Sequence, residues 1–207
     1  ENEISEQSVR ASKEMLAAVR ALGFDLTEKD MLVAAAGRKY PLRWPGELFA
    51  EVLLAAEEYR THPLLIPYRE GNARADNPYV NFYWDFYSQG KPCYVKIEFP
   101  SLEQTLQIIH GNGGKAVLAH PGASLKGRGI EILNGIVSQG LDGIEAFSSY
   151  HTPSQAHDFY NLARAYRITA TCGSDYHGKT KPAIQLGQHG CLASDQEMVK
   201  LFSGLIR

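Results

Sequence analysis

Five side chains able to bind a cation or move a proton fall at repeated positions in the second half of the sequence. His120 ends an apolar run, Lys115–His120, and Pro121-Gly122 follow at once. Glu145 lies inside a second apolar run, Gly143–Phe147, and His151 stands in the segment after it. Asp175 and His177 follow a third, Ile168–Cys172, in Gly173-Ser174-Asp175-Tyr176-His177-Gly178. Imidazole nitrogen and carboxylate oxygen together suit Zn²⁺, Mn²⁺ or Fe²⁺. An Asp-x-His step in an extended segment puts both side chains on one side, because strand side chains alternate with period two. Asp175 and His177 are therefore expected to reach one ion. Such an ion makes water a nucleophile at neutral pH and neutralises the charge of a phosphate.

Each residue also has a plainer reading. A lone His at a strand end is commonly a hydrogen-bonded structural residue, and it is the repetition that points His120, Asp175 and His177 to a metal. Glu145 sits among apolar neighbours, where a carboxylate needs a partner or a metal. His151 is expected to face the same rim and a substrate phosphate, or else simply to lead into a helix. Lys126 and Arg128 either supply positive charge for a phosphate or face solvent. His110 ends a helix, where the dipole explains it. His62, His157 and His189 have no repeated context and read as structural or surface residues. Cys172 reads either as a nucleophile beside His177 or as a small side chain next to a metal site.

The elements that must carry these residues follow from periodicity. Glu6–Leu22, Glu28–Ala36 and Pro45–Arg60 have the three- and four-residue apolar spacing of helices, and Gly23 closes the first. Residues 61–89 are punctuated by prolines and crowd aromatics between Tyr79 and Tyr87. Stacking platforms for bases sit in positive grooves, and this segment has few basic neighbours, so it reads as core packing. From Gly90 onward apolar runs alternate with helical ones: helix to His110, strand 115–120, helix 130–139, strand 143–147, helix 153–166, strand 168–172, helix 198–206. Gly111 to Gly114 is a turn before a strand, not a phosphate loop. Apolar strands separated by helices predict a parallel sheet covered on both faces. In such folds the loops at the strands' carboxyl ends converge on one site.

Composition bounds the rest. With 44% hydrophobic residues and a net charge of −2 in 207 residues, the chain reads as one globular domain, or one with a small insertion. The near-zero charge argues against long duplex DNA. No apolar run approaches a membrane span, and the acidic Glu1–Gln7 does not read as a signal peptide. Three cysteines, Cys93, Cys172 and Cys191, with no C-x-x-C argue against a disulfide framework or a zinc knuckle. They are expected as buried thiols in a reducing cytoplasm.

The motifs also carry a resemblance. Residues 113–122, GGKAVLAHPG, resemble the AHP motif of the PHP (polymerase and histidinol phosphatase) superfamily. Residues 140–145, GLDGIE, with His151 and Pro153, resemble a segment of its phosphoesterase branch, and residues 173–178, GSDYHG, its closing motif. Residues 5–94 resemble the branch's α-helical insertion, and Lys91-Pro92-Cys93-Tyr94-Val95 the return from it.

The resemblance implies an α/β fold: part of a distorted (βα)7 barrel at 95–207, with the all-α insertion at 5–94. It implies phosphoester hydrolysis at a site of up to three divalent ions (Mn, Fe or Zn). Its substrates would be small phosphorylated nucleotides, such as nucleoside 3′,5′-bisphosphates, or RNA 5′ ends. His120, Asp175 and His177 match metal ligands, and His151 matches a His near the substrate phosphate. The family's opening H-x-H strand, D-H pair and metal-binding Glu have no counterpart in the sequence. The chain is therefore expected to be a C-terminal portion, weak or inactive alone, with an open sheet edge inclined to self-association. The alternative is a non-catalytic phosphate- or metal-binding fragment that needs its N-terminal half or a partner.

Overall fold

The computed structural model describes residues 2–125, 130–191 and 194–203. The chain divides into two compact units, Glu1–Phe99 with His177–Ala183, and Pro100–Tyr176 with Ile184–Arg207.

The first unit is helical. It contains α1 (Asn2–Ala21), α2 (Glu28–Ala34), α3 (Gly46–Ala55) and α4 (Pro78–Phe86), with short 3₁₀ turns between and after them. Gly23 follows α1 at φ +97°, a conformation that suits glycine after a helix. Thr27 caps α2 in a reciprocal box with Asp30. The core gathers Leu16, Val19, Phe24, Met31, Leu48, Phe49 and Leu53 with the aromatic segment. Phe82 stacks on Phe86 at 4.5 Å and Tyr68 meets Phe82 edge-on at 5.3 Å, so this segment packs inward as expected. Arg74 pairs with Asp85 through two nitrogens, at 3.0 and 2.8 Å, and ties the α4 approach to the helix.

The second unit is α/β. It runs α5 (Leu102–Gly111), β1 (Val117–Leu118), α6 (Pro121–Ser124), α7 (Ile130–Val137), β2 (Gly143–Ser148), α8 (Pro153–Tyr166), β3 (Thr169–Gly173) and α9 (Asp195–Ser203). Capping boxes start α5 (Ser101 with Gln104) and α8 (Thr152 with Gln155). The three strands form a parallel sheet in the order β1-β2-β3. Ile144, Ala146 and Ala170 are buried beneath Leu133, Val137, Phe159 and Leu162 of the covering helices.

Strand β1 is shorter than the apolar run suggests, because side chains replace the ladder at both of its ends. Asp142 Oδ2 accepts the Ala116 N–H at 2.8 Å, and Glu145 Oε2 accepts the His120 N–H at 2.7 Å. The β2–β3 register slips between Glu145 and Phe147. This bulge leaves Ala146 without a partner residue on β3. Of the cysteines, Cys93 is buried as expected, whereas Cys172 and Cys191 are only half-buried. No described helix is long and apolar enough to cross a membrane.

Candidate functional site

In the α/β unit, His120 and Asp175 stand at the carboxyl ends of β1 and β3. Both hold left-handed backbone that non-glycine residues rarely adopt, His120 at φ 29° and Asp175 at φ 54°. Such strain costs about 1–3 kcal/mol per residue and concentrates at functional sites. His120 is held by its N–H on Glu145, by Nδ1 3.0 Å from the Ser124 hydroxyl, and by an edge contact with the Tyr150 ring. Its Nε2 lies 4.0 Å from Asp175 Oδ1. The Tyr150 hydroxyl donates to the other oxygen, Oδ2, at 2.9 Å. Two donors sharing an ion with bonds near 2.0–2.2 Å lie about 3–4 Å apart. One nitrogen and one oxygen at this separation fit part of a divalent ion's shell.

Glu145 has two close neighbours. Its Oε2 orients the His120 backbone, and Oε1 faces Gly173, where a Cβ would lie 2.3 Å away. Glycine at 173 is thus what lets the carboxylate lie against β3.

His151 is clamped at both ring nitrogens. Nδ1 lies 2.9 Å from the Ala146 carbonyl, which the bulge removes from the regular ladder. Nε2 accepts the Gly122 N–H at 3.1 Å, so the neutral ring carries its proton on Nδ1. Burial, aided by the His120 charge, holds its pKa below the ordinary value, against the Ala146 carbonyl and Glu145. The ring packs on Phe159 with centroids 4.7 Å apart. At the end of β2 the Ser148 hydroxyl is buried without a hydrogen-bond partner. Beside it, the Ser149 hydroxyl donates to the Ser174 carbonyl at 2.8 Å.

Lys126 and Arg128 lie outside the described residues. His177 belongs to the helical unit, in a segment fastened there by a Lys179–Glu51 ion pair and by the Ala183 N–H on Asn77 Oδ1 at 3.2 Å. Glu51 also meets Arg38 at 3.3 Å. Burial pushes the Glu47 carboxyl up, against its own N–H and the charges of Lys181, His177 and Arg38. The sequence reading passed over Tyr150 and Ser124. The signal for Tyr150 was its place beside His151 in a rim loop.

No protein-family model matches the chain. Curated relatives do. A phosphoribosyl 1,2-cyclic phosphate 1,2-diphosphodiesterase of Eggerthella lenta is 36% identical over 101 residues, 49% of this chain and 37% of that protein. The 5′-3′ exoribonuclease Rnm of Salmonella typhimurium is 32% identical over 105 residues, 50% of this chain and 36% of its own length. A 3′,5′-nucleoside bisphosphate phosphatase of Chromobacterium violaceum is 36% identical over 104 residues, again 49% and 36%. These likenesses agree with the PHP resemblance carried by the sequence motifs. The chain spans little more than a third of the length of these relatives.

Solved structures extend the likeness in fold to nearly the whole chain. A candidate metal-dependent phosphoesterase of Bifidobacterium adolescentis superposes with a TM-score of 0.70 at 24% identity, covering 98% of this chain and 64% of that one. An amidohydrolase of Chromobacterium violaceum, solved with sulfate and no metal, gives 0.64 at 22% identity, covering 97% and 65%.

Proposed function

We propose that this chain forms part of a divalent-metal-dependent phosphoesterase acting on small phosphorylated nucleotides or RNA 5′ ends. The observation that carries the reading is the facing of His120 Nε2 and Asp175 Oδ1, 4.0 Å apart, from two strained strand ends. The relatives named above, by their names, act on a cyclic phosphate diester, on RNA and on a nucleoside bisphosphate. Phosphate-ester cleavage is the chemistry common to them.

His120 and Asp175 are the proposed metal ligands, with His177 added from its match to the family motif. A bound Mn, Fe or Zn ion supplies Lewis acidity toward a phosphate oxygen and activates water. Glu145 fixes the His120 backbone, and Tyr150 fixes the Asp175 carboxylate through Oδ2. His151 is proposed beside the substrate phosphate as a positioning residue. Its Nε2 already accepts from Gly122, so the neutral ring braces the Pro121-Gly122 turn and offers that phosphate no N–H. Lys126 and Arg128 are proposed to meet the substrate's negative charge.

The rest of the reading is carried with it: a distorted (βα)7 barrel over 95–207, a helical insertion over 5–94, a cytoplasmic location, and self-association along an open sheet edge. A second reading has one observation in its favour. The chain spans little more than a third of the length of the relatives it matches, which suits a fragment that binds metal or phosphate without turnover.

The test is thermal melting of the chain with and without Mn²⁺, beside phosphate release from a nucleoside 3′,5′-bisphosphate. Ion at about 100 times its Kd stabilises a native-state site by about 2.7 kcal/mol. The expected result is a rise in Tm that His120→Ala and Asp175→Asn each abolish. No rise in the parent chain, or an undiminished rise in both variants, overturns the metal assignment. Metal binding without phosphate release moves the second reading ahead.

A further inference from the structure

A second donor set stands apart from the His120–Asp175 pair. Cys172 Sγ, Cys191 Sγ and a ring nitrogen of His189 all lie within 4.8 Å of one another, and all three residues are half-buried. Among the described residues this is the one group of three His, Cys, Asp or Glu side chains so placed. Cys172 comes from β3, while His189 and Cys191 come from the segment leading to α9. Gly190 between them has φ +63°, a turn that glycine makes without strain and that brings ligands two residues apart onto one point. Both thiols pack against the apolar core of the α/β unit, and they are not joined in a disulfide.

We propose that Cys172, His189 and Cys191 bind one zinc-class ion. Zn–S bonds near 2.3 Å and Zn–N bonds near 2.0–2.1 Å put tetrahedral donors roughly 3.5–3.8 Å apart, so the group closes by no more than about 1.3 Å. Two thiolates and one imidazole select zinc over Mg²⁺, Ca²⁺ or Mn²⁺, which prefer oxygen. His189 Nδ1 now accepts the Cys191 N–H at 3.1 Å, so capture exchanges that local hydrogen bond for a coordinate bond. Zn²⁺ forms two Zn–S bonds and one Zn–N bond, and the two thiol protons leave to solvent. Three protein donors leave a fourth position for water. The ion pins the segment before α9 to β3, three residues ahead of Asp175. The site differs from the one proposed for phosphoester hydrolysis in donors and in metal, and it stands if that reading fails.

Cobalt(II) reports on this set directly. The full chain, kept reduced, is titrated with Co²⁺ and then with Zn²⁺, and folding is followed by circular dichroism. The expected result is a thiolate-to-cobalt charge-transfer band with the strong visible bands of tetrahedral cobalt, both displaced by an equivalent of Zn²⁺. Cys172→Ser and Cys191→Ser each lose the band, and His189→Ala weakens it. His120→Ala keeps it, which separates the two sites. In the unsubstituted chain, Zn²⁺ slows alkylation of both thiols. A folded chain with no thiolate band, a band that survives both serine substitutions, or alkylation that Zn²⁺ leaves unchanged overturns the proposal.

Discussion

The Glu145 carboxylate accepts the backbone N–H of His120 at 2.7 Å, so a mid-strand acid on β2 holds the left-handed end of β1. A backbone group that would extend the ladder is instead directed to a side chain. That diversion turns the chain sharply at His120 and places its ring at the strand-end rim. Glu145→Ala strands the N–H without its acceptor, at a cost of about 1–3 kcal/mol. Glu145→Gln keeps an acceptor and loses less. Urea denaturation of both variants checks the order, and equal losses would contradict it.

Asp175 separates stability from function. Its φ of 54° costs an L-residue about 1–2 kcal/mol that glycine does not pay. Asp175→Gly relieves this strain while removing the carboxylate that faces His120 and accepts from Tyr150. The variant is expected to melt within a few degrees of the parent chain, yet to lose all stabilisation by Mn²⁺. Melting curves with and without the ion read both effects.

Two glycines are required by close approach. A Cβ at Gly122 would lie 2.6 Å from the His151 ring, and one at Gly173 would lie 2.3 Å from Glu145 Oε1. The His151 ring and the Glu145 carboxylate are each held by hydrogen bonds, so neither can step aside freely. Gly122→Ala and Gly173→Ala are each expected to destabilise by about 1–3 kcal/mol. Chemical denaturation measures it, and an unchanged midpoint for either would show that its neighbour moves.

Asp142 sets an acid limit on the α/β unit. Burial raises its pKa, but the Ala116 N–H, His110 and Lys115 outweigh that and bring it down to about 2. A carboxyl depressed in the native state binds protons more readily when unfolded. Its contribution is therefore whole above the ordinary value of 3.8 and is lost as pH falls toward about 2. Asp142→Asn is expected to flatten the stability profile across that window and to lower stability at neutral pH. Denaturation between pH 2 and 5 provides the comparison.

Much of the local structure was legible. Ser101 with Gln104, and Thr152 with Pro153 and Gln155, mark helix starts that depend on neighbours three residues away. The apolar runs at 143–147 and 168–172 are strands within a residue of where they were expected. The run at 115–120 yields only a two-residue strand, because Asp142 and Glu145 claim its flanking N–H groups from elsewhere in the chain. His110, read as a dipole partner, also binds Asp142 at 2.8 Å.

What the sequence determined by itself is whatever depends on near neighbours: helix caps, strand alternation, and the placing of His120 and Asp175 at strand ends. The tertiary structure decided which polar groups meet. It set His120 against Asp175, clamped His151 between Gly122 and Ala146, and placed His177 in the helical unit. It also brought Cys172 to His189 and Cys191, residues whose spacing announces no ligand set. The reason is physical. Caps and alternation follow from backbone geometry a few residues long, whereas such meetings depend on register, a bulge and the path of a whole segment across the sheet.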